Sequence, residues 1–374
     1  MGKLKFGMVG GGPGSFIADV HRRSALFDGL NELCAGCFSR DYDKTIATGR
    51  QLGITDESRL YASYEEMAKA EGAREDGIDF IIIAAPNNVH YPAAKAFLQN
   101  GIHVICDKPL THTSEQGEAL KQIAQEKNLL FCVTYVYTGY PAVEAIRKHI
   151  QDGDLGDILT VNVQYLQGYH AAAQQQDSSA WRFNPELVGS SFCLGDIGTH
   201  AENIAAYMTG LKIEEVYASM QPLSKITTLD TNSQVLLRYK GGATGLLWCS
   251  TVTLGHDNDL CVGIYGNKAS IEWCQEDGEH YTIGRPDGTR TRITAQAEGL
   301  YARTAQSSRL PAGHPEGYYE SFANIYTDFS KAIIAQQEGK PYAPAFPDID
   351  LGIEGVKFVE ACVKSHESKQ WEKL

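Results

Sequence analysis

Asp196 and His200 are the two residues of this sequence whose types and spacing best suit acid–base chemistry. They stand four positions apart in a segment, 195–209, that is typical of a helix ending at Gly210. On a helix, residues four apart lie on one face, one turn from each other. A histidine, with an unperturbed pKa of about 6.5, can act as a general acid or base when a carboxylate orients it. A capped helix with a buried histidine would show the same pattern, so the pair alone does not establish a catalytic role.

A glycine-rich turn follows the first predicted strand, residues 4–9, and leads into a helix predicted at 16–27. Glycine stands at the first and third positions of the turn and Ser15 at the sixth, where a small residue permits close packing of helix against strand. Backbone amides at such a helix N-terminus bind the pyrophosphate of a dinucleotide. The residues expected around the pyrophosphate are Gly10, Gly12, Pro13, Gly14, Ser15 and Phe16.

The second predicted strand, residues 32–38, ends in Ser39, Arg40 and Asp41. In an NAD-binding site, a carboxylate at this strand end accepts hydrogen bonds from the adenosine ribose. Ser39 removes the charge repulsion that an acid would exert on a 2′-phosphate, and Arg40 can bind that phosphate or stack on adenine. The sequence therefore favours NADP over NAD, while Asp41 leaves NAD as the alternative.

Strands and helices continue to alternate through the first third of the chain and predict a doubly wound parallel sheet. The apolar run at 80–84 suits a strand that is buried on both faces. Ligands bind beyond the carboxyl ends of such strands, and Lys108 lies at one of these ends. Its charge could polarise a substrate hydroxyl there, although a surface lysine is the alternative. The pattern of roughly six alternations predicts a Rossmann-type α/β domain over residues 1–135.

The remaining residues, 136–374, predict a second domain of the α+β class. From residue 214 onward, strands alternate with turns such as Gly241-Gly242, which indicates a large, mostly antiparallel open sheet. One face of such a sheet could serve a subunit contact. The last predicted helix, 351–366, is amphipathic and is expected to pack back on the body of the protein, with the first domain as one candidate surface.

Four residues of the second domain could line a carbohydrate pocket. Trp181 offers a flat apolar face for C–H surfaces, and Arg182 offers forked donors for hydroxyl oxygens. Tyr137 lies in an aromatic segment at the domain junction, and His314 lies in a loop rich in proline and glycine. The alternatives are packing for Tyr137 and Trp181, surface exposure for Arg182 and helix capping for His314.

The charge balance and the cysteine pattern argue against several classes of protein. A formal net charge of −13 is unlike a nucleic-acid-binding surface, which needs clustered Lys and Arg. Neither a membrane span nor a signal peptide is recognisable, so a cytoplasmic location is expected. The nine cysteines lack the spacing of a disulfide framework and are predicted to be reduced. The eleven histidines show no H-x-x-x-H spacing, so no metal site is expected.

These motifs resemble the Gfo/Idh/MocA oxidoreductases, the family of glucose–fructose oxidoreductase and inositol dehydrogenase. The resemblance spans nearly the whole chain and rests on the glycine turn and three further segments. These are Pro86-Asn87-Asn88-Val89-His90, Asp107-Lys108-Pro109 and Asp196-Ile197-Gly198-Thr199-His200. Asp107 replaces the family's usual glutamate, and the approach to Asp196 is less rich in glycine than usual. In this family the Lys–Pro bond is often cis.

The resemblance implies an NAD(P)-dependent dehydrogenase that acts on a hydroxyl or keto carbon of a sugar, polyol or cyclitol. In the implied catalytic trio, His200 accepts the hydroxyl proton, Lys108 polarises the reacting oxygen, and Asp196 binds a neighbouring hydroxyl. Besides the glycine turn, the implied cofactor-binding residues are Ser39, Arg40, Pro86, Asn87, His90, Asp107 and Lys108. A homodimer or homotetramer through the C-terminal sheet is also implied. A glycoside hydrolase that retains its NAD, or a non-catalytic sugar or nucleotide sensor, would have the same fold.

Overall fold

Two compact units make up the part of the chain that the computed structural model describes, residues 2–171, 181–296 and 307–374. The first unit consists of the residues up to Val136 and of Tyr318–Ile353. The second consists of the described parts of Tyr137–Gly317 together with Glu354–Leu374. The sequence-based boundary had assigned all residues from 136 onward to the second domain, so the grouping of Tyr318–Ile353 with the first unit differs from that expectation.

The first unit is built on a five-stranded parallel sheet in the order β2-β1-β3-β4-β5. The strands are β1 (Leu4–Gly10), β2 (Asn31–Cys37), β3 (Phe80–Ala84), β4 (His103–Cys106) and β5 (Phe131–Val133). The helices are α1 (Phe16–Leu26), α2 (Tyr42–Gln51), α3 (Tyr64–Ala73), α4 (Asn87–Gln99) and α5 (Ser114–Glu126). The predicted parallel Rossmann-type sheet is confirmed. The sheet has five strands, where the sequence suggested roughly six alternations.

Burial of apolar surface explains why a later helix belongs to this unit. Every residue of the central strand β3 is buried, as expected for a parallel strand covered on both faces. The helix Tyr318–Gln337 supplies part of that cover. Its Phe322 ring packs 4.9 Å from the His21 ring of α1, and its Phe329 ring packs 5.7 Å from that of Phe80. This aromatic face explains why the helix groups with the first unit.

The second unit is built on a nine-stranded sheet in the order β13-β12-β11-β10-β6-β9-β8-β7-β14. In chain order the strands are β6 (Ile158–Leu166), β7 (Ile213–Gln221), β8 (Asn232–Tyr239), β9 (Thr244–Ser250), β10 (Asp259–Gly266), β11 (Ser270–Cys274), β12 (His280–Gly284), β13 (Arg290–Thr294) and β14 (Glu372–Lys373). Within the described residues every pair is antiparallel except β6 with β9. The predicted mostly antiparallel sheet is therefore confirmed.

Helices of the second unit include α6 (Pro141–Gln151), the short α7 (Pro185–Val188) and α8 (Thr199–Thr209). After α9 (Tyr318–Gln337), the last helix is α10 (Ile349–Ser368), whose residues through Ile353 group with the first unit. Three strands were not identified from the sequence, namely the two edge strands β13 and β14 and the strand β12 next to β13. The reason is visible in β13, which reads Arg-Thr-Arg-Ile-Thr and carries almost no apolar alternation.

The prediction that all nine cysteines are reduced is wrong for two of them. Cys261 of β10 and Cys274 of β11 form a disulfide bond. The two residues are direct partners in the antiparallel register, with Cα atoms 4.1 Å apart. Directly opposed side chains on neighbouring strands lie on the same face of a sheet, and this pairing register was not readable from the cysteine spacing. The other seven cysteines are free, including Cys34 and Cys37 of β2.

No helix in the described ranges has both the length and the apolar composition needed to cross a membrane. In the same ranges, one group of side chains has the geometry to hold a metal ion, namely Asp259, Cys261 and Cys274. Both sulfur atoms of that group are joined in the disulfide bond.

Candidate active site

The glycine turn after β1 has the form of a dinucleotide cradle. Gly10, Gly11 and Gly14 have φ angles of 85°, 87° and 84°, which residues with a side chain rarely adopt. A Cβ atom at Gly10 would lie 2.1 Å from the carbonyl oxygen of Ala84, so only glycine fits there. Gly14 is exposed just before the N-terminus of α1. A pyrophosphate at such a position is stabilised by backbone amide groups and by the helix dipole. These residues therefore fit the phosphate bridge of a nicotinamide dinucleotide.

The other predicted residues of the turn differ in exposure. Pro13 and Phe16 are exposed, whereas Gly12 and Ser15 are half-buried. Ser15 precedes α1 and makes no side-chain capping hydrogen bond. A close contact between turn and helix lies at Gly11, where a Cβ atom would lie 2.9 Å from the Cβ of Ala18. The sequence had assigned close packing at this turn to Ser15 and had not singled out Gly11.

The segment after β2 contains an exposed arginine, Arg40, and an aspartate, Asp41, that caps the next helix. Arg40 is exposed. Asp41 caps α2, because its carboxylate accepts hydrogen bonds from the backbone N–H groups of Asp43 and Lys44. The Ser39 hydroxyl accepts a hydrogen bond from the Asp41 N–H at 3.1 Å. Of the two features that the sequence weighed, the arginine is therefore exposed and the aspartate is already engaged in capping.

The Pro86–His90 segment forms the start of α4, which begins at Asn87. Pro86 precedes the first helical residue, and Asn87 is buried. The His90 ring is buried between two backbone oxygens, with Nδ1 2.8 Å from the carbonyl of Pro109 and Nε2 2.9 Å from that of Ala85. Burial lowers the pKa of His90. A neutral imidazole donates a hydrogen bond through one nitrogen only. Because Ala85 follows β3 and Pro109 follows β4, the His90 ring lies between the two loops.

Asp107 and Lys108 follow β4, and the Lys108–Pro109 peptide bond is cis, as the family resemblance implied. The Asp107 carboxylate accepts hydrogen bonds from the Lys108 backbone N–H at 2.8 Å and from the Thr134 hydroxyl at 3.1 Å. Burial alone would raise the pKa of Asp107, but His21 and the Lys108 charge hold that pKa well below its ordinary value. Asp107 is thus an ionised group that orders the backbone of Lys108.

Asp196 lies in a π-helical turn, Leu194–Gly198, which runs directly into α8. The helix ends at Gly210, whose φ of 69° is the left-handed conformation typical of a helix stop. The predicted helix and its end are therefore observed. The turn that holds Asp196 is wider than an α-helical turn, and such single π-helical turns are frequent at functional sites. Gly198 permits this packing, because a Cβ atom there would lie 3.0 Å from the Cys249 sulfur.

His200 is buried against two tyrosines. The Tyr137 ring meets the imidazole edge to face at 4.9 Å, and the Tyr165 ring lies 6.2 Å from it. The Tyr137 hydroxyl is 2.5 Å from the Tyr165 hydroxyl and accepts a hydrogen bond from the Asn258 amide at 3.1 Å. Burial raises the pKa of Tyr137, so the phenol stays neutral. Tyr137, for which the sequence offered both pocket lining and packing, packs against the His200 ring within its own unit.

The remaining predicted substrate residues occupy different settings. Arg182 is exposed and stacks on the half-buried Trp181 ring at 4.9 Å. His314 is exposed, and its Nδ1 lies 3.1 Å from the Pro311 carbonyl oxygen in its own turn. His170 was not selected from the sequence, although the charges of Asp196 and Arg182 both act on it and burial lowers its pKa. Its position after a predicted strand was the only sequence signal.

Two family models match the chain. The model described as "Oxidoreductase family, NAD-binding Rossmann fold" matches residues 4–135, and the model described as "GFO/IDH/MocA C-terminal domain" matches residues 143–272. An uncharacterized oxidoreductase of Bacillus subtilis (strain 168), YfiI, is 37% identical over 97% of this chain and 94% of its own. The chain belongs to the Gfo/Idh/MocA family of oxidoreductases. As a family member it is an enzyme whose first unit is an NAD-binding Rossmann domain.

Solved structures of this Gfo/Idh/MocA type extend over the whole chain. An oxidoreductase from Sinorhizobium meliloti is 40% identical with a TM-score of 0.90, covering 99% of both chains. An inositol dehydrogenase homolog from Azotobacter vinelandii complexed with NAD⁺ is 34% identical with a TM-score of 0.94, covering 100% of this chain and 97% of its own. The same homolog complexed with NADH and myo-inositol gives a TM-score of 0.92 at 34% identity, covering 100% and 98%.

Proposed function

We propose that this Gfo/Idh/MocA enzyme interconverts a secondary hydroxyl and a ketone on a cyclitol, sugar or polyol. The observation that carries the proposal is the setting of His200. It is a buried imidazole held by two tyrosines, one helical turn beyond Asp196, in a chain that also has the glycine cradle and Lys108. A buried imidazole in fixed orientation is suited to exchange a proton with one substrate oxygen.

The three side chains divide the work in this proposal. His200 takes the proton from the reacting hydroxyl, and returns it in the reverse direction. The Lys108 ammonium donates a hydrogen bond to the same oxygen and lowers its pKa by its positive charge, while Asp107 orders the Lys108 backbone. Asp196 accepts a hydrogen bond from a neighbouring hydroxyl and so selects substrates with adjacent hydroxyl groups. A nicotinamide cofactor, when bound, supplies the hydride acceptor or donor.

NADP is the cofactor that we propose over NAD. Arg40 is exposed at the end of β2, and the one nearby carboxylate that the sequence weighed, Asp41, is engaged in capping α2. An exposed guanidinium can bind a 2′-phosphate through two hydrogen bonds. NAD is the alternative cofactor, because the Azotobacter vinelandii homolog was solved in complex with NAD⁺.

Myo-inositol is bound with NADH in the Azotobacter vinelandii homolog, which supports a cyclitol as the first substrate to test. A panel of inositols, aldoses, sugar alcohols and glycosides is incubated with the protein and with NAD or NADP in parallel, and absorbance at the nicotinamide band is followed. We expect reduction of the cofactor by at least one polyol with adjacent hydroxyls. Cleavage of a glycoside without net cofactor reduction would instead establish a redox-assisted hydrolase. Binding without either reaction would indicate a sensor.

We also propose that the protein forms a homodimer or homotetramer through the open face of the nine-stranded sheet. Leu236 of β8 and Leu246 of β9 are directly opposed and are 48% and 41% exposed. Two neighbouring exposed leucines on a sheet are typical of an interaction surface. Light scattering on the wild type and on Leu236→Glu tests this surface, and an unchanged mass would reject it. The cytoplasmic location stays a prediction from the sequence.

A further inference from the structure

Asp230, in the loop before β8, is hydrogen-bonded to every residue that leads into the proposed catalytic helix. Its carboxylate accepts hydrogen bonds from the Ser191 hydroxyl at 2.8 Å, the Phe192 N–H at 2.9 Å and the Leu194 N–H at 2.8 Å. Its backbone carbonyl accepts the N–H of Cys193 at 3.0 Å. The four consecutive residues before Gly195 are therefore fixed by one side chain and its own carbonyl.

The same carboxylate is tied to the sheet. Ser233 of β8 donates its hydroxyl to Asp230 at 2.8 Å, and both residues are buried. Three of the four donors to the carboxylate belong to the segment before Gly195, and the fourth belongs to β8. A buried carboxylate is tolerated only when donors satisfy it, and each donor would lose its partner if the carboxylate were removed. Asp230 thus connects the segment before the helix to the start of strand β8.

The hydrogen bonds continue from Asp230 toward Asp196. Ser191, while donating to Asp230, accepts the Gly195 N–H at 3.0 Å, and the Asp196 N–H is donated to the Phe192 carbonyl at 2.8 Å. The π-helical turn starts at Leu194, whose N–H is one of the groups that Asp230 holds. The approach to Asp196 is poor in glycine compared with the family, and Ser191 instead contributes the hydroxyl that relays this contact.

We infer that Asp230 is a positioning residue for the proposed catalytic pair, acting through Ser191 and the backbone of residues 192–195. The inference rests on the proposed function of Asp196 and His200. Asp230 contacts no reacting atom in this account. Its loss lets the π-helical turn relax, so that the imidazole and the Asp196 carboxylate depart from the geometry that the reaction needs. Misplacement of catalytic groups by about 1 Å can lower a rate by about 10²-fold.

The experiment compares Asp230→Asn with a control of similar bonding, Asp328→Asn. The Asp328 carboxylate also holds a loop, accepting the N–H groups of Ala345 and Phe346 and the Tyr342 hydroxyl, but it lies in the first unit. For Asp230→Asn we expect kcat to fall by about 10- to 100-fold, with the Kd of the reduced cofactor, measured by fluorescence, unchanged. For Asp328→Asn we expect a similar drop in melting temperature but a kcat within about twofold of wild type.

Ser191→Ala provides a second route if Asp230→Asn does not fold. It removes one acceptor for the Gly195 N–H and one donor to Asp230. We expect kcat to fall by about 5- to 20-fold while the cofactor Kd stays unchanged. Equal kcat values in the Asp230 and Asp328 variants, with His200→Ala inactive, would overturn the positioning role alone. A wild type without turnover on any substrate, or an unimpaired His200→Ala variant, would reject the proposed function instead.

Discussion

At the scale of single residues, the chemistry depends on how neighbouring groups are engaged. Asp41, the residue that leaves NAD as the alternative, caps α2 through its carboxylate. Tyr137, a predicted substrate residue, has a hydroxyl that is bonded to Tyr165 and Asn258. Residue types at motif positions were readable from the sequence, whereas the partner that each side chain chooses depends on contacts distant in sequence. Arg40 is the residue whose exposure leads to a direct test of the cofactor.

Replacing Arg40 with alanine should weaken NADP binding by about 10-fold and leave NAD binding nearly unchanged, because in the proposed assignment its guanidinium binds the 2′-phosphate. The measurement is the Kd of NADPH and of NADH by fluorescence titration. Arg50→Ala is the matched control, since Arg50 is an exposed arginine of α2 that pairs with Glu57. A parallel loss of affinity for both cofactors, or none for either, would contradict the NADP assignment.

At the scale of elements, α8 carries a buried acid, Glu202, besides the proposed catalytic His200. Burial, with a further contribution from the charge of Glu354, raises the pKa of Glu202 to about 8 from its ordinary value of 4.5. Between these two values the folded protein holds a proton that the unfolded chain has released. The free energy of unfolding therefore falls as pH rises through this window, by at most about 1.4 kcal/mol per pH unit from this group.

Glu202→Gln should remove this part of the pH dependence, so that its stability advantage over wild type grows as pH rises from about 5 and levels off near pH 8. Urea unfolding of both proteins between pH 5 and 9 measures the effect. Exposed Glu214→Gln, on β7, serves as the control and should follow the wild-type curve. A pH slope for Glu202→Gln equal to that of wild type would show that the acid is not buried in protonated form.

The same helix shows how far sequence patterns predict an element. The run from Asp196 to Gly210 predicted the helix and its end, because periodicity and a terminal glycine are local signals. The π-helical turn at Leu194–Gly198 was not predictable in this way. Its first residue, Leu194, donates its N–H to Asp230, which lies 36 positions later in the sequence.

At the scale of the whole chain, alternating patterns predicted the class of both units, and the parallel and the mostly antiparallel sheets were both found. Strand register and the return of α9 to the first unit were not predictable, because they follow from long-range burial such as that of Phe322 and Phe329. The missed disulfide bond has the same origin. Cys261 and Cys274 are 13 residues apart, and only the β10–β11 register makes them direct partners.

Alkylation of the denatured protein tests that register. Without reduction, seven cysteines should react, since seven are free in the structure. After reduction, all nine in the sequence should react, and a peptide map should join Cys261 to Cys274 before reduction only. Modification of nine cysteines without prior reduction would contradict the cross-strand pairing.

In the proposed mechanism, His200 exchanges the substrate proton during oxidation of a hydroxyl group by this Gfo/Idh/MocA enzyme. The most direct test is the turnover of His200→Ala beside wild type, at saturating cofactor, on the best substrate of the polyol panel. We expect kcat to fall by about 10²- to 10⁴-fold with cofactor Kd little changed. Turnover within about threefold of wild type would contradict it.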